Sequence, residues 1–203
     1  DTQKGDPDQR ERLKQAISHE TRRLSLRVDN VLESSRMEVE KQAFSQEVVN
    51  LTELVSSVGE AARGVAEVLE GKIDFKLEPN LKVHGDVRAL RLMFDNVMDN
   101  AIKFADPIPD IVVIVESKEG FALTRIVDSG IGFSDAQKSE FFRRFGRGDT
   151  GRPGMGLGLA LARLVARGHG GAARSDPLFA PGQPQGWSCR PFSQRRHDGR
   201  TCG

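Results

Sequence analysis

Two periodicities alternate between residues 46 and 167, and their alternation limits the fold more than any other feature of the chain. Residues 46–49 read as a short strand. Leu51, Leu54, Val55, Val58, Ala62, Val65 and Leu69 then recur at helical spacing up to Gly71, which is placed to end the helix. Ile73 to Leu77 alternates as a strand and Glu78-Pro79-Asn80 forms a turn. After Lys82-Val83-His84, Asp86 is positioned to cap a helix running to about Phe104, with Val87, Leu90, Phe94, Val97, Met98 and Ala101 as its apolar stripe. Strands are expected at Ile111 to Val115 and Phe121 to Val127, joined by Lys118-Glu119-Gly120. A glycine- and arginine-rich loop precedes a last helix, from about Gly156 to Arg167. Helical stripes interleaved with short alternating runs predict an α+β sandwich, with helices on one face of a mixed sheet.

This body, residues 45–175, is flanked by two different segments. Asp6-Pro7 reads as a helix start, and Leu13, Ile17, Leu24, Val28, Val31 and Val39 form a narrow seam on a long amphipathic helix within residues 1–44. Such a helix is marginal alone and implies a helical partner. Residues 176–203 are rich in Pro, Gly, Arg, Ser and Gln without periodicity. They read as a disordered tail or linker, with no closing strand for the sheet. A missing strand would leave a sheet edge exposed.

Composition excludes several classes. Hydrophobic residues make up 37% and charged residues 29% of 203, with a formal net charge of +1. That balance is globular and offers no strong field for nucleic acid or anionic lipid. No apolar run is long enough to span a bilayer, and no signal-like start is present, so no membrane contact is expected of this segment. The two cysteines, Cys189 and Cys202, lie near the C-terminus, which rules out a disulfide framework for the body and suits a reduced, cytoplasmic protein.

Four groups of residues carry chemistry. At about 100° per residue, Asn96, Asn100 and Lys103 share one face of the helix capped by Asp86, roughly opposite its apolar stripe. Carboxamide oxygens are hard ligands of the kind Mg²⁺ accepts, and an ammonium suits phosphate; a solvated polar face would look the same. Asp128-Ser129-Gly130-Ile131-Gly132-Phe133 follows a strand. A strand-end carboxylate can accept from a base amino group, and glycines admit a flat ring, although Asp and Gly are also ordinary turn residues. Gly154-Met155-Gly156-Leu157-Gly158-Leu159 opens a helix, where free N–H groups attract anions. It lacks the Lys-Ser or Lys-Thr pair of a phosphate-binding P-loop. The loop between, Ser134 to Gly154, holds Phe141, Phe142, Phe145, Arg143, Arg144, Arg147 and Arg152 among glycines, as a lid over phosphates or a solvated surface loop would. Each group is ambiguous alone; their order is specific.

In that order the chain resembles the catalytic domain of sensor histidine kinases, within the wider group that includes the Hsp90, gyrase and MutL ATPases. Phe94 to Phe104 resembles the asparagine box and Asp128 to Phe133 the first glycine box. Phe141 to Phe145 resembles the phenylalanine box, and Gly154 to Leu159 the second glycine box, followed by His169-Gly170-Gly171. The resemblance spans about residues 12–172 and implies the Bergerat α/β sandwich, with ATP and Mg²⁺ as ligands. It implies that Asn100 ligates Mg²⁺ with Asn96 in support, that Lys103 contacts phosphate and that Phe104 packs near the nucleotide. Asp128 would bind the adenine amino group beside Gly130 and Gly132. Gly154, Gly156, Leu157, Gly158 and Leu159 would face the phosphates, and Arg147 would reach the γ-phosphate.

The resemblance also bears on the reaction. ATP-hydrolysing relatives carry a Glu base four residues before the metal-binding Asn; here that residue is Asn96, and an amide cannot take a proton from water. This favours a kinase over a hydrolase. Ser18-His19-Glu20 resembles the start of the phosphoacceptor motif, but Arg23 and Leu24 stand where the motif requires Thr or Asn and then Pro. Residues 17–38 instead resemble the second helix of the dimerisation hairpin. His19 is therefore not expected to be the acceptor, which would lie on a histidine outside this chain. The implied partners are a second copy through the hairpin and a response regulator receiver domain. The alternative is a nucleotide-binding or docking module without kinase activity.

Overall fold

A computed structural model describes residues 44–118, 120–130, 157–176 and 185–193, with the backbone alone for 174–176 and 185–193. The helix and His19 read within residues 1–43, the loop from Ser134 to Gly154 with Arg147, and Gly132, Gly154 and Gly156 lie outside the described residues.

The chain runs β1 (Glu47–Asn50), α1 (Leu51–Val68), β2 (Lys72–Leu77), β3 (Lys82–Gly85), α2 (Val87–Lys103), β4 (Asp110–Lys118), β5 (Phe121–Asp128), α3 (Gly158–Gly168), β6 (Ala172–Asp176) and β7 (Gln185–Ser193). Five strands form one sheet in the order β2-β4-β5-β7-β6; β2 and β4 are parallel and the other pairs antiparallel. β1 and β3 make a separate antiparallel pair. On the helix-facing side the strands alternate as expected: Ile111, Val113 and Val115 from β4 and Ala122, Thr124, Ile126 and Asp128 from β5 are buried. α1 packs on β2 and β4, α2 on β5, and α3 on β6 and β7, with α2 lying against both other helices. The expected α+β sandwich is the architecture observed.

Helix boundaries follow local chemistry. Asn50 caps α1 by accepting the Glu53 N–H, and Asp86 caps α2 by accepting those of Arg88 and Ala89. Burial works against the Asp86 carboxylate, but N–H donors from Ala89, Ser45 and Arg88 outweigh it and hold its pKa below the usual value. Its stabilising effect is therefore present above the unfolded-state pKa and is lost as pH falls through the folded one.

α1 ends one residue earlier than the glycine suggests. Glu70, not Gly71, takes the left-handed conformation, with φ 61°, and Gly71 N–H closes the motif on Ala66 O at 2.8 Å. Gly71 is needed for another reason: a Cβ there would strike the Pro109 carbonyl. α3 closes the same way with Gly170 in the left-handed position. Glu70→Gly should therefore raise stability by about 0.5–1 kcal/mol, read as a higher urea midpoint with an unchanged slope.

The closing strand that composition argued against is present. β7 inserts between β5 and β6, so β6 forms that edge of the sheet. Proline is disfavoured inside a sheet because it donates no ladder hydrogen bond. Pro191 avoids the conflict by its position. The β6 ladder ends at Arg190, and on the β5 side Leu123 alone stands opposite Arg190 and Pro191, in a bulge.

Candidate functional site

α2 is the spine along which the expected site residues meet. Asn96 lies on the helix face read as polar, but it is not solvated: it is 3% exposed. Its Nδ2 donates to Leu92 O at 2.8 Å, and its Oδ1 faces the first residue of α3, where a Cβ on Gly158 would stand 2.5 Å away. The helical wheel placed Asn96 correctly relative to Asn100 and Lys103 but could not show that α3 covers it. Asn100 and Lys103, one and two turns on, are half-buried. The Lys103 ammonium lies 4.6 Å from the centroid of the half-buried Phe104 ring.

The C-terminal end of α2 is joined to the end of β5. Ala105 and Gly130 form an isolated antiparallel bridge. Gly130 permits this approach, since a Cβ there would stand 2.8 Å from Phe104 O and 2.6 Å from Asp128 Oδ1. Ser129 braces the same loop: its hydroxyl donates to Ile108 O at 2.8 Å and accepts the Asp110 N–H at 3.1 Å. Sequence reading missed this brace, although the serine stands between the two residues singled out.

Asp128 ends β5 on the core side and is 6% exposed. Burial pushes its pKa up to about 6, against the Gly130 N–H that donates to Oδ1 at 2.8 Å. Among the described residues, Gly130 supplies the one hydrogen bond to this carboxylate. A buried carboxylate without a cationic partner is costly. It is suited to accept a hydrogen bond from a ligand.

Leu157 occupies the N-cap position of α3 and offers no capping oxygen to the first-turn N–H groups. First-turn N–H groups without a side-chain cap are the kind of donor that suits an anion. Leu157 and Leu159 are themselves buried, so what they present there is backbone. The structure thus brings Asn96 to Gly158 at one place on α2, and Phe104 to Gly130 and Asp128 at another. Among the described residues no group of three or more His, Cys, Asp or Glu side chains could hold a metal ion, and no helix is long and apolar enough to cross a membrane.

Residues 85–195 match the family described as histidine kinase-, DNA gyrase B- and HSP90-like ATPase, a span that includes β7. Sensor protein RprX of Bacteroides fragilis (strain YCH46) is 30% identical over 167 residues, covering 79% of this chain and 32% of that protein. A probable sensor histidine kinase HK of Mycobacterium tuberculosis (strain CDC 1551 / Oshkosh) is 35% identical over 159 residues, covering 77% and 40%. The chain therefore spans less than half the length of these relatives. Among solved structures, a mycobacterial sensor histidine kinase MprB is 30% identical with a TM-score of 0.63, covering 72% of this chain and 99% of that one.

Proposed function

Because the chain belongs to the histidine kinase-, DNA gyrase B- and HSP90-like ATPase family, with the catalytic-domain fold of a sensor histidine kinase, we propose that it binds ATP with Mg²⁺ and transfers the γ-phosphoryl group to a histidine outside this chain. The observation that carries the proposal is Asp128: a carboxylate buried at a strand end and flanked by a glycine whose backbone closes on α2. In this reading Asp128 accepts a hydrogen bond from the adenine amino group, and Gly130 and Gly132 lie beside the ring. Phe104 packs near the nucleotide and Lys103 pairs with phosphate. The N-terminus of α3, at Leu157, Gly158 and Leu159, donates backbone N–H groups to the phosphates, which Gly154 and Gly156 also face, and Arg147 reaches the γ-phosphate. Asn100 holds Mg²⁺ with Asn96 behind it. A half-buried carboxamide fits an ion that keeps most of its waters and offsets phosphate charge.

The acceptor imidazole nitrogen attacks the γ-phosphorus, the bond to the β–γ bridging oxygen breaks, ADP leaves and the imidazole proton is released. Positioning and charge stabilisation carry such a step. With Asn96 where hydrolases have a base, water is not activated and the phosphoryl group is kept for the histidine. The phosphoryl group then passes to an aspartate of a response regulator. In the longer protein this segment works on the cytoplasmic side as a homodimer joined through the helical hairpin.

Titration with ATP, with and without Mg²⁺, tests the site. Asn100→Ala should remove the part of the affinity that depends on Mg²⁺ and leave the rest; equal Mg²⁺ dependence in both proteins would sink that assignment. Incubation with labelled ATP should give phosphohistidine on a separately supplied acceptor hairpin and none on the chain alone. Acid-labile phosphate on the chain alone that disappears in His19→Gln would make His19 the acceptor.

A further inference from the structure

Phe44 and Ser45, which lead from the N-terminal segment into the domain, land on the helix pair that carries the site, at the end away from it. The Phe44 ring packs on the His169 imidazole, with centroids 4.5 Å apart and planes 33° apart. It also fills the space over Gly168, where any Cβ would collide with it. Ser45 donates its N–H to Asp86 Oδ2 at 3.4 Å. Asp86 in turn caps α2 through Oδ1 and donates its own N–H to His169 Nε2 at 2.9 Å. The other ring nitrogen, Nδ1, lies 2.7 Å from Val165 O. A nitrogen facing an N–H must accept and one facing a carbonyl must donate, so the imidazole is the neutral Nδ1–H tautomer. Burial agrees: it holds the His169 pKa below the usual value, against the opposing effects of Val165 O and Asp86. Gly85 makes room for the ring, since a Cβ there would stand 2.7 Å from Cδ2.

α2 and α3 run antiparallel between two contacts. Asp86, at the start of α2, meets His169 just past the end of α3; Asn96, further along α2, meets Gly158 at the start of α3. At 1.5 Å per residue these contacts are about 15 Å apart along α2 and about 16 Å apart along α3. The two helices thus meet at both ends of their overlap, a hydrogen bond at one and close packing at the other, over spans of matching length. A slide or tilt of α3 that opens one contact therefore shifts the other, because helices of this length move as rigid rods.

We propose that His169 is a positioning residue that couples the Phe44–Ser45 segment to the Asn96–Gly158 end of the helix pair, so that nucleotide binding there and the placement of the incoming segment bias each other. This rests on the nucleotide-site reading above. It gives the His169-Gly170-Gly171 run a role beyond ending a helix, and it puts the regulatory input where the N-terminal segment enters. Such coupling is reciprocal: whatever moves the segment changes nucleotide affinity by the factor with which nucleotide changes the segment.

The experiment uses the whole 203-residue chain and a non-hydrolysable ATP analogue with Mg²⁺. The exchange rates of the Ser45 and Asp86 amide protons and the His169 ring resonances are recorded without and with the analogue, alongside Gly130 as the reporter of occupancy. The expected result is at least threefold slower exchange at Asp86 and a shift of the His169 ring signals on binding. His169→Gln, whose carboxamide oxygen can still accept from Asp86 N–H, keeps the Asp86 response, and His169→Leu loses it. Nucleotide binding slows every amide that exchanges through global unfolding, so the Asp86 response is the slowing beyond that of a core amide such as buried Val113, and a contact that merely holds the fold together shows none. If Gly130 responds while Ser45, Asp86 and His169 do not, the coupling is overturned and the nucleotide site stands. If Gly130 does not respond either, the nucleotide site itself fails and the coupling with it. Retention of the Asp86 response in His169→Leu also overturns the role given to the ring.

Discussion

Asp128→Asn lowers affinity for adenine nucleotides by about ten- to a hundredfold, the cost of about 1.5–3 kcal/mol for losing a hydrogen bond to a charged group. The substitution is nearly isosteric, and Gly130 N–H decides its orientation. That donor already points at Oδ1 from 2.8 Å, so it takes the amide oxygen and leaves the NH₂ group facing the amino group of the base, donor against donor. Folding stability should move the other way. Burial raises the carboxyl pKa to about 6, with the Gly130 N–H opposing. A raised carboxyl pKa means that this group's favourable contribution is fully present below the unfolded-state value and is lost as pH rises through about 6. At pH 7.5 the wild type therefore holds a buried charge that the variant does not, and urea unfolding should show the variant at least as stable. A second signature lies in pH. Binding that needs the carboxylate weakens as pH falls below about 6, whereas the variant has no such titration at this position. The ratio of the two dissociation constants, which cancels the titration of ATP itself, should shrink towards one between pH 7.5 and pH 5. An unchanged ATP affinity in Asp128→Asn would remove this residue from the site.

Much of this arrangement is legible in the sequence because local rules and tertiary packing agree. The cap at Asp86, the apolar stripe of α2 and the alternation of β4 and β5 each follow from short-range spacing, and the elements stand where that spacing puts them. What was not legible depends on neighbours distant in the chain. A helical wheel places Asn96 beside Asn100 but not under α3. β7 hides because the Pro-, Gly- and Arg-rich composition of residues 176–203 reads as a tail, and the bulge opposite Leu123 that gives Pro191 a position where no donor is required is a tertiary feature. Gly71 reads as the helix stop, although contact with Pro109 requires the glycine and Glu70 carries the left-handed turn. His169 is conspicuous in the sequence, yet its partners, Phe44 and Asp86, can be found only in three dimensions.

Gly158→Val should destabilise the domain by about 2–3 kcal/mol and weaken nucleotide binding, and most of the stability cost should vanish in an Asn96→Ala background. A Cβ at Gly158 would lie 2.5 Å from Asn96 Oδ1 and 3.2 Å from its Cγ. Asn96 cannot easily give way, because it is short, 3% exposed and tied to Leu92 O at 2.8 Å. Turning it aside leaves a buried amide unpaired, which costs about 1–3 kcal/mol. Backing α3 away instead uncovers Leu159, Leu161 and Ala162, which are buried, at the cost typical of an overpacked core. The better helix propensity of valine over glycine recovers less than about 1 kcal/mol. Removing the Asn96 carboxamide removes the obstacle, so the two substitutions should couple by at least about 1 kcal/mol in a double-mutant cycle. Strictly additive stabilities would show that glycine is not needed at this position to seat α3 on α2. The same cycle on ATP affinity asks a separate question. If Asn96 supports the metal ligand and the α3 N-terminus meets the phosphates, the double variant regains stability without regaining affinity. Recovery of both together would mean that Asn96 and Gly158 act only through packing.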